Sequence, residues 1–275
     1  MTPTPRDGFV AANGLTLHYL DWGGAGEPLV LLHGLRDQAH GWDEVAPGLT
    51  PHGRIVALDQ RGHGASDRPP SGYAPEDYAA DVAACCAALD LRRPVIVGHS
   101  LGGRTALALA AARPGLARGY VLVDVGARGD PGPVAADVAR LRAGYGPFDT
   151  VADAAAALVG PGRAPNAATR RYLAYNLRRL GDGRLAWRYD LDAASATVRL
   201  GRPRDFSAVA AALDVPVLLV RGGRSDVLSR EEASRLAALI PACTLVELPG
   251  VGHLIPQVRP AALAATIAAW LPALG

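Results

Sequence analysis

Six short apolar runs constrain this chain most: Leu29–Leu32, Ile55–Leu58, Val95–Val97, Tyr120–Val123, Val217–Val220 and Thr244–Leu248. The first four are short and apolar throughout, as expected of strands covered on both faces, and the last two restore the strand–helix alternation. Helical stretches lie between or after them, at Ala39–Leu49, Pro75–Leu89, Leu101–Arg113, Arg230–Ile240 and Pro260–Leu271. The third is stopped by Arg113-Pro114-Gly115. Upstream, Phe9–Ala12 and Leu15–Asp21 flank Asn13–Gly14, a strong hairpin signal. The alternation predicts an α/β fold with a mostly parallel central sheet flanked by helices. A chain of 275 residues can bury such a sheet in one domain.

Between about Ala127 and Asp205 the pattern changes to Arg/Ala-rich segments broken at Gly146–Pro147 and Gly160–Pro161, with no convincing strand. Helices are expected at Pro133–Gly144, Val151–Val159 and Asn166–Leu180. The predicted organisation is a core of residues 1–126 and 206–275 interrupted by a helical insertion, 127–205.

Composition excludes several chemistries. All 28 basic residues are arginine, so Schiff-base lysines, Ser–Lys dyads and P-loop lysines are absent. A formal charge of +2 gives no reason to expect nucleic acid or a membrane as partner. Cys85, Cys86 and Cys243 form no disulfide framework and read as small buried residues. No His, Cys and carboxylate cluster has metal-ligand spacing, so neither metal nor cofactor is expected. Met1–Gly8 lacks the apolar core of a signal peptide, and no run is long enough to span a bilayer. The expected location is cytoplasmic, as monomer or homodimer.

The chemistry starts at Val95-Ile96-Val97-Gly98-His99-Ser100-Leu101-Gly102-Gly103, where G-x-S-x-G joins a strand to a helix. The turn leaves no room for side chains two residues either side of Ser100, hence Gly98 and Gly102. Ser100 at the helix N-terminus meets N–H groups that favour negative charge. A serine hydroxyl needs a base. Of seven histidines, His253 fits best, in a glycine-rich loop between a strand and the last helix. His99 adjoins Ser100 but points away from it on so sharp a turn. A carboxylate must orient the imidazole. Asp226, just past a strand, is the expected partner, with the strand-end Asp124 as rival. Oxyanion donors are expected from the backbone N–H of Leu101 and of Leu35, which follows His33–Gly34 at a strand end.

His33–Gly34, Asp59–Ser66, Gly98–Gly103, Asp226 and Gly252–His253 together make the chain resemble the α/β-hydrolase family along nearly its full length. The resemblance implies that 127–205 is a helical cap roofing the active site. It also implies that Asp59–Ser66 braces backbone rather than performing chemistry. Ser100 stands where related dehalogenases and epoxide hydrolases carry aspartate, which disfavours both. Related carbon–carbon bond hydrolases usually place tryptophan after the catalytic histidine, and Leu254 stands there instead. The expectation is a serine carboxylesterase or lactonase acting through an acyl-enzyme on a small-molecule ester or lactone. Alternatives on the same triad are a carbon–carbon hydrolase of aromatic degradation, an acyltransferase or perhydrolase, and a non-enzymatic small-molecule receptor.

Candidate substrate-binding residues are Arg36, Trp42, His99, Tyr145, Trp187 and Leu254. Phe148, Tyr172, Tyr175 and Tyr189 are further aromatics of the same region. For each aromatic, packing of the insertion onto the core is the competing role. Asp37, beside Arg36, is either near the entrance or a solvated loop residue.

Overall fold

A computed structural model describes residues 3–130, 132, 134–160 and 162–275. Met1 of the N-terminal segment, Pro133 of the predicted helix start and Pro161 of the Gly-Pro break lie outside the described residues.

The chain opens with β1 (Arg6–Ala12) and β2 (Leu15–Gly23), paired antiparallel about Asn13 and Gly14. Both turn residues have positive φ, 51° and 76°, the geometry for which Asn-Gly is selected. Then come β3 (Leu29–Leu32), β4 (Ile55–Leu58), α1 (Pro75–Ala88), β5 (Val95–His99), α2 (Leu101–Ala112) and β6 (Gly119–Val123). An insert follows, with α3 (Val134–Ala143), α4 (Val151–Val159), α5 (Ala167–Asn176), β7 (Leu177–Arg179), β8 (Leu185–Trp187) and α6 (Leu191–Gly201). The core resumes with α7 (Ser207–Ala211), β9 (Val217–Gly222), α8 (Arg230–Leu239), β10 (Cys243–Leu248), α9 (Ile255–Val258) and α10 (Pro260–Trp270).

Eight strands form one sheet in the order β1-β2-β4-β3-β5-β6-β9-β10, parallel from β4 to β10. From β3 the chain goes to one side for β4 and to the other for β5. In open α/β sheets ligands bind beyond the strand ends at such a reversal. The apolar runs are explained by two cores. Val30, Leu32, Ile96 and Leu122 pack on one face with α1, α2 and α8. Leu29, Leu31, Val97 and Val123 pack on the other with Trp42, Ile267 and Trp270. Each such Leu or Val contributes about 1.5–3 kcal/mol by leaving water.

Two expectations need correction. Ala39–Leu49 is not an α-helix: it forms short 3₁₀ turns at Ala39–Trp42 and Ala46–Gly48. Pro47 has no N–H to continue a ladder, and Gly41 and Gly48 weaken it further. Asn166–Leu180 stops early, because Leu177–Arg179 leaves the helix to pair with Leu185–Trp187 as a small hairpin. The insert therefore contains a two-stranded sheet as well as helices. Its two ends meet where Phe206 N–H donates to Ala127 O at 2.8 Å. Among the described residues no helix is long and apolar enough to cross a membrane.

Arg61 and Asp81 form a buried pair, Nε to Oδ2 at 2.6 Å and Nη2 to Oδ1 at 2.5 Å. Asn13 Nδ2 joins at 2.8 Å, so one carboxylate ties the hairpin, α1 and the loop after β4. Asp81→Ala leaves a buried guanidinium uncompensated. It should lower unfolding free energy by about 3–5 kcal/mol, whereas Arg61→Met with Asp81→Leu should cost much less. Urea unfolding of both variants tests this.

Candidate active site

Ser100 occupies the one-residue turn between β5 and α2, with φ 52° and ψ −111°. A non-glycine residue held there stores about 1–3 kcal/mol of strain. Close approach on both sides explains why the strain persists. A Cβ on Gly98 would lie 2.3 Å from Gly102 O, and one on Gly102 would lie 2.2 Å from Leu32 O. Gly102 N–H donates to His33 O at 3.1 Å, which fastens the start of α2 to the end of β3.

The loop after β3 reaches the same point. A Cβ on Gly34 would stand 3.4 Å from Ser100 Cβ. Gln60 braces this loop, its N–H donating to His33 Nε2 at 3.0 Å and its Nε2 to His33 O at 2.8 Å. Thr105 of α2 donates to Gln60 Oε1 at 2.9 Å. Asp59 accepts from the N–H groups of Ala39 and Ala65 at 2.7 and 2.8 Å. The Asp59–Ser66 stretch thus braces backbone. Among the described residues, the N–H groups of Leu35 and Leu101 find no acceptor within the chain. Leu35 and Leu101 share a hydrophobic cluster with Tyr73, Tyr78, Ala193 and Ala196, the last two from α6 of the insert.

The carboxylate at His253 is Asp124, not Asp226. His253 Nδ1 lies 2.8 Å from Asp124 Oδ2. Asp124 is fully buried at the end of β6, with φ 50°. It also accepts from Gly222 N–H at 2.9 Å and from the Ser225 hydroxyl. Ser225 Oγ in turn accepts the N–H groups of Val227 and Leu228, each at 3.1 Å. This turn directs Ser225 inward and leaves Asp226 exposed. Chain order could not separate the two, since both aspartates fall between Ser100 and His253. The usable signal was a carboxylate ending an apolar run, on the strand beside the one that carries the serine.

His99 is buried, its Nε2 2.9 Å from His253 O and its ring 4.8 Å from the His253 ring. Burial, helped by the neighbouring His253, pushes its pKa down to about 3. It is a neutral donor to the His253 carbonyl, and its place as a substrate-binding residue is corrected accordingly. Trp42 is likewise corrected, being buried beneath the sheet in the core. Tyr145 and Trp187 pack inside the insert, their polar ends donating to Tyr189 O at 3.1 Å and Gly144 O at 2.8 Å. Arg36 is exposed and borders Tyr189, whose phenol burial pushes up to about 12 while the guanidinium pulls the other way. Leu254 is half exposed beside His253. Asp37 is no solvated loop residue: it is buried. Among the described residues no three His, Cys, Asp or Glu side chains converge as a metal-binding group.

Comparison with known proteins shows the family. Residues 29–266 match the model of the alpha/beta hydrolase family, and the chain belongs to that family. It is 32% identical over 241 residues to 2-(acetamidomethylene)succinate hydrolase of Mesorhizobium japonicum, covering 86% of this chain and 85% of the relative. It is 31% identical over 259 residues to N-formylmaleamate deformylase of Pseudomonas putida, covering 90% of each. The crystal structure of E-2-(acetamidomethylene)succinate hydrolase superposes with a TM-score of 0.89 at 28% identity, over 98% of this chain and 100% of that one.

Two outcomes are expected from these contacts. Asp124→Asn should lower kcat about 10⁴-fold by disturbing the His253 tautomer, whereas Asp226→Asn should leave turnover unchanged. Steady-state hydrolysis by both variants checks this. His63, also buried, has its pKa pushed to about 3 like that of His99. Both folded values lie below the ordinary 6.5, so the unfolded chain takes up these protons first. Their contribution is full above pH 6.5 and declines as pH falls toward 3. His99→Gln should therefore flatten the fall in unfolding midpoint across that window, as followed by thermal melts.

Proposed function

We propose that this member of the family is a serine hydrolase that cleaves a carboxylic acyl bond through an acyl-Ser100 intermediate. The observation that carries the reading is the 2.8 Å contact between His253 Nδ1 and Asp124 Oδ2, beside the strained turn at Ser100. With Nδ1–H donated to Asp124, His253 Nε2 is the nitrogen free to accept a proton. In the first step Ser100 Oγ bonds to the acyl carbon while Nε2 takes its proton. The oxyanion receives the N–H groups of Leu35 and Leu101. Collapse breaks the acyl bond, and the leaving atom takes the proton from His253. Water then attacks the acyl-enzyme with Nε2 again as base, and the acid leaves. Asp124 orients the imidazole and compensates its charge throughout.

The scissile bond is a carboxylic ester or lactone in the first instance. The names of two relatives, a hydrolase of 2-(acetamidomethylene)succinate and a deformylase of N-formylmaleamate, extend the candidates to N-acyl bonds of small acids. The insert acts as a cap over the site, a role supported by the hydrophobic cluster that α6 shares with Leu35 and Leu101.

Purified protein and Ser100→Ala, assayed on p-nitrophenyl esters from acetate to palmitate, simple lactones and N-formylmaleamate, provide the test. Serine-dependent multiple turnover is expected on at least one class. Ser100→Ala should retain only about 10³-fold acceleration over water. A folded Ser100→Ala protein with undiminished turnover would falsify the assignment.

A further inference from the structure

The segment Gly34-Leu35-Arg36-Asp37 closes as a β-turn, Asp37 N–H donating to Gly34 O at 3.2 Å. Leu35 and Arg36 are its central residues. Arg36 has φ 68°, a conformation this turn position ordinarily reserves for glycine. The turn that aims the Leu35 N–H is therefore strained and needs anchors from outside. Three come from α5. Tyr172 Oη donates to Arg36 O at 2.6 Å, Asn176 Nδ2 to Asp37 Oδ1 at 3.1 Å, and Gln38 Nε2 reaches Tyr175 O. A fourth comes from α9, four residues beyond His253, where Gln257 Nε2 donates to Asp37 Oδ2 at 2.7 Å. Asp37 and Asn176 are 5% and 3% exposed, and the bond between them is buried. Burial pushes the Asp37 carboxyl up, while its hydrogen-bond donors and His33 pull the other way.

We propose that Asp37 is a positioning residue that couples the seating of the insert to the geometry of the oxyanion hole. Its two carboxylate oxygens join the loop bearing Leu35 to α5 and to the segment that follows His253. The loop is held in its strained turn only while α5 is docked. The root of α5 is accordingly a fixed point of the insert, and any opening must hinge elsewhere. This inference rests on the reading in which Leu35 N–H receives the oxyanion.

Asn176→Leu cuts the α5 bond to Asp37 without changing a residue of the loop. It should lower kcat about 100-fold, the scale expected when a catalytic donor is misplaced by about 1 Å. KM should stay within about threefold, since the lost interaction forms in the transition state. Affinity for a trifluoromethyl ketone, which forms a tetrahedral adduct at Ser100, should fall in step with kcat. Hydrogen exchange of segment 33–38 should accelerate, a readout that needs no substrate. Asn176→Asp sets two carboxylates against each other and should show the same defects. Adding Asp37→Asn restores one donor facing one acceptor and should recover most of kcat and ketone affinity. That comparison decides the matter if Asn176→Leu does not fold. Unchanged kcat per folded molecule, a loss confined to KM, or unaltered exchange of 33–38 overturns the proposal. Wild-type protein without serine-dependent turnover or ketone adduct would instead count against the hydrolase reading, and the exchange comparison would still judge the clamp.

Discussion

The close approach of β5 and α2 at Ser100 is the constraint on which the rest depends. Backbone must pass within contact distance of backbone at Gly98, Gly102 and Leu32, and Ser100 is forced to φ 52° as a result. Such strain survives only where its surroundings are stiffer than the turn itself. Here all five residues of β5 are buried in a parallel sheet, and α2 is apolar along most of its length. The same geometry leaves the Leu101 N–H without an acceptor among the described residues. Packing thus yields both a strained serine and a preset donor.

The other groups arrive from neighbouring strands because the sheet order reverses at β3. The loop after β3 brings Leu35 against the serine turn, and β6 ends in Asp124 one strand away on the other side. The segment after β10 returns His253 to Asp124, and His99 holds that segment by its carbonyl. The segments that carry these groups lie at one end of the sheet because β3, β5, β6 and β10 all run parallel toward it. The insert is part of this arrangement through α6 at Leu35 and Leu101 and α5 at Arg36 and Asp37.

Much of the frame was legible in the residues. Continuous apolar runs marked strands covered on both faces, and Gly98-His99-Ser100-Leu101-Gly102 marked a turn with room only for glycine around the serine. Local chemistry misled where a pattern had two readings. Ala39–Leu49 has enough buried side chains for a helix, yet Pro47 and its neighbouring glycines leave only 3₁₀ turns. Leu177–Arg179 continues a helical pattern but finds a strand partner at Leu185–Trp187, a pairing no local propensity announces. Trp42 as an aromatic and His99 as the neighbour of Ser100 are both candidate pocket residues by sequence, and burial in the core is not visible there.

By itself the sequence determined the alternation of elements, the glycine-flanked turn that holds Ser100, and the position of Leu35 and Leu101 beside two glycine turns. These follow from steric and hydrophobic rules that act over a few residues. Only tertiary structure decided between Asp124 and Asp226, because the choice depends on which carboxylate a distant imidazole meets across the sheet. It likewise decided that Asp37 is buried between α5 and α9, since those partners stand 139 and 220 residues away. Contacts across such separations are set by how strands are ordered and helices docked, and no local pattern carries that information.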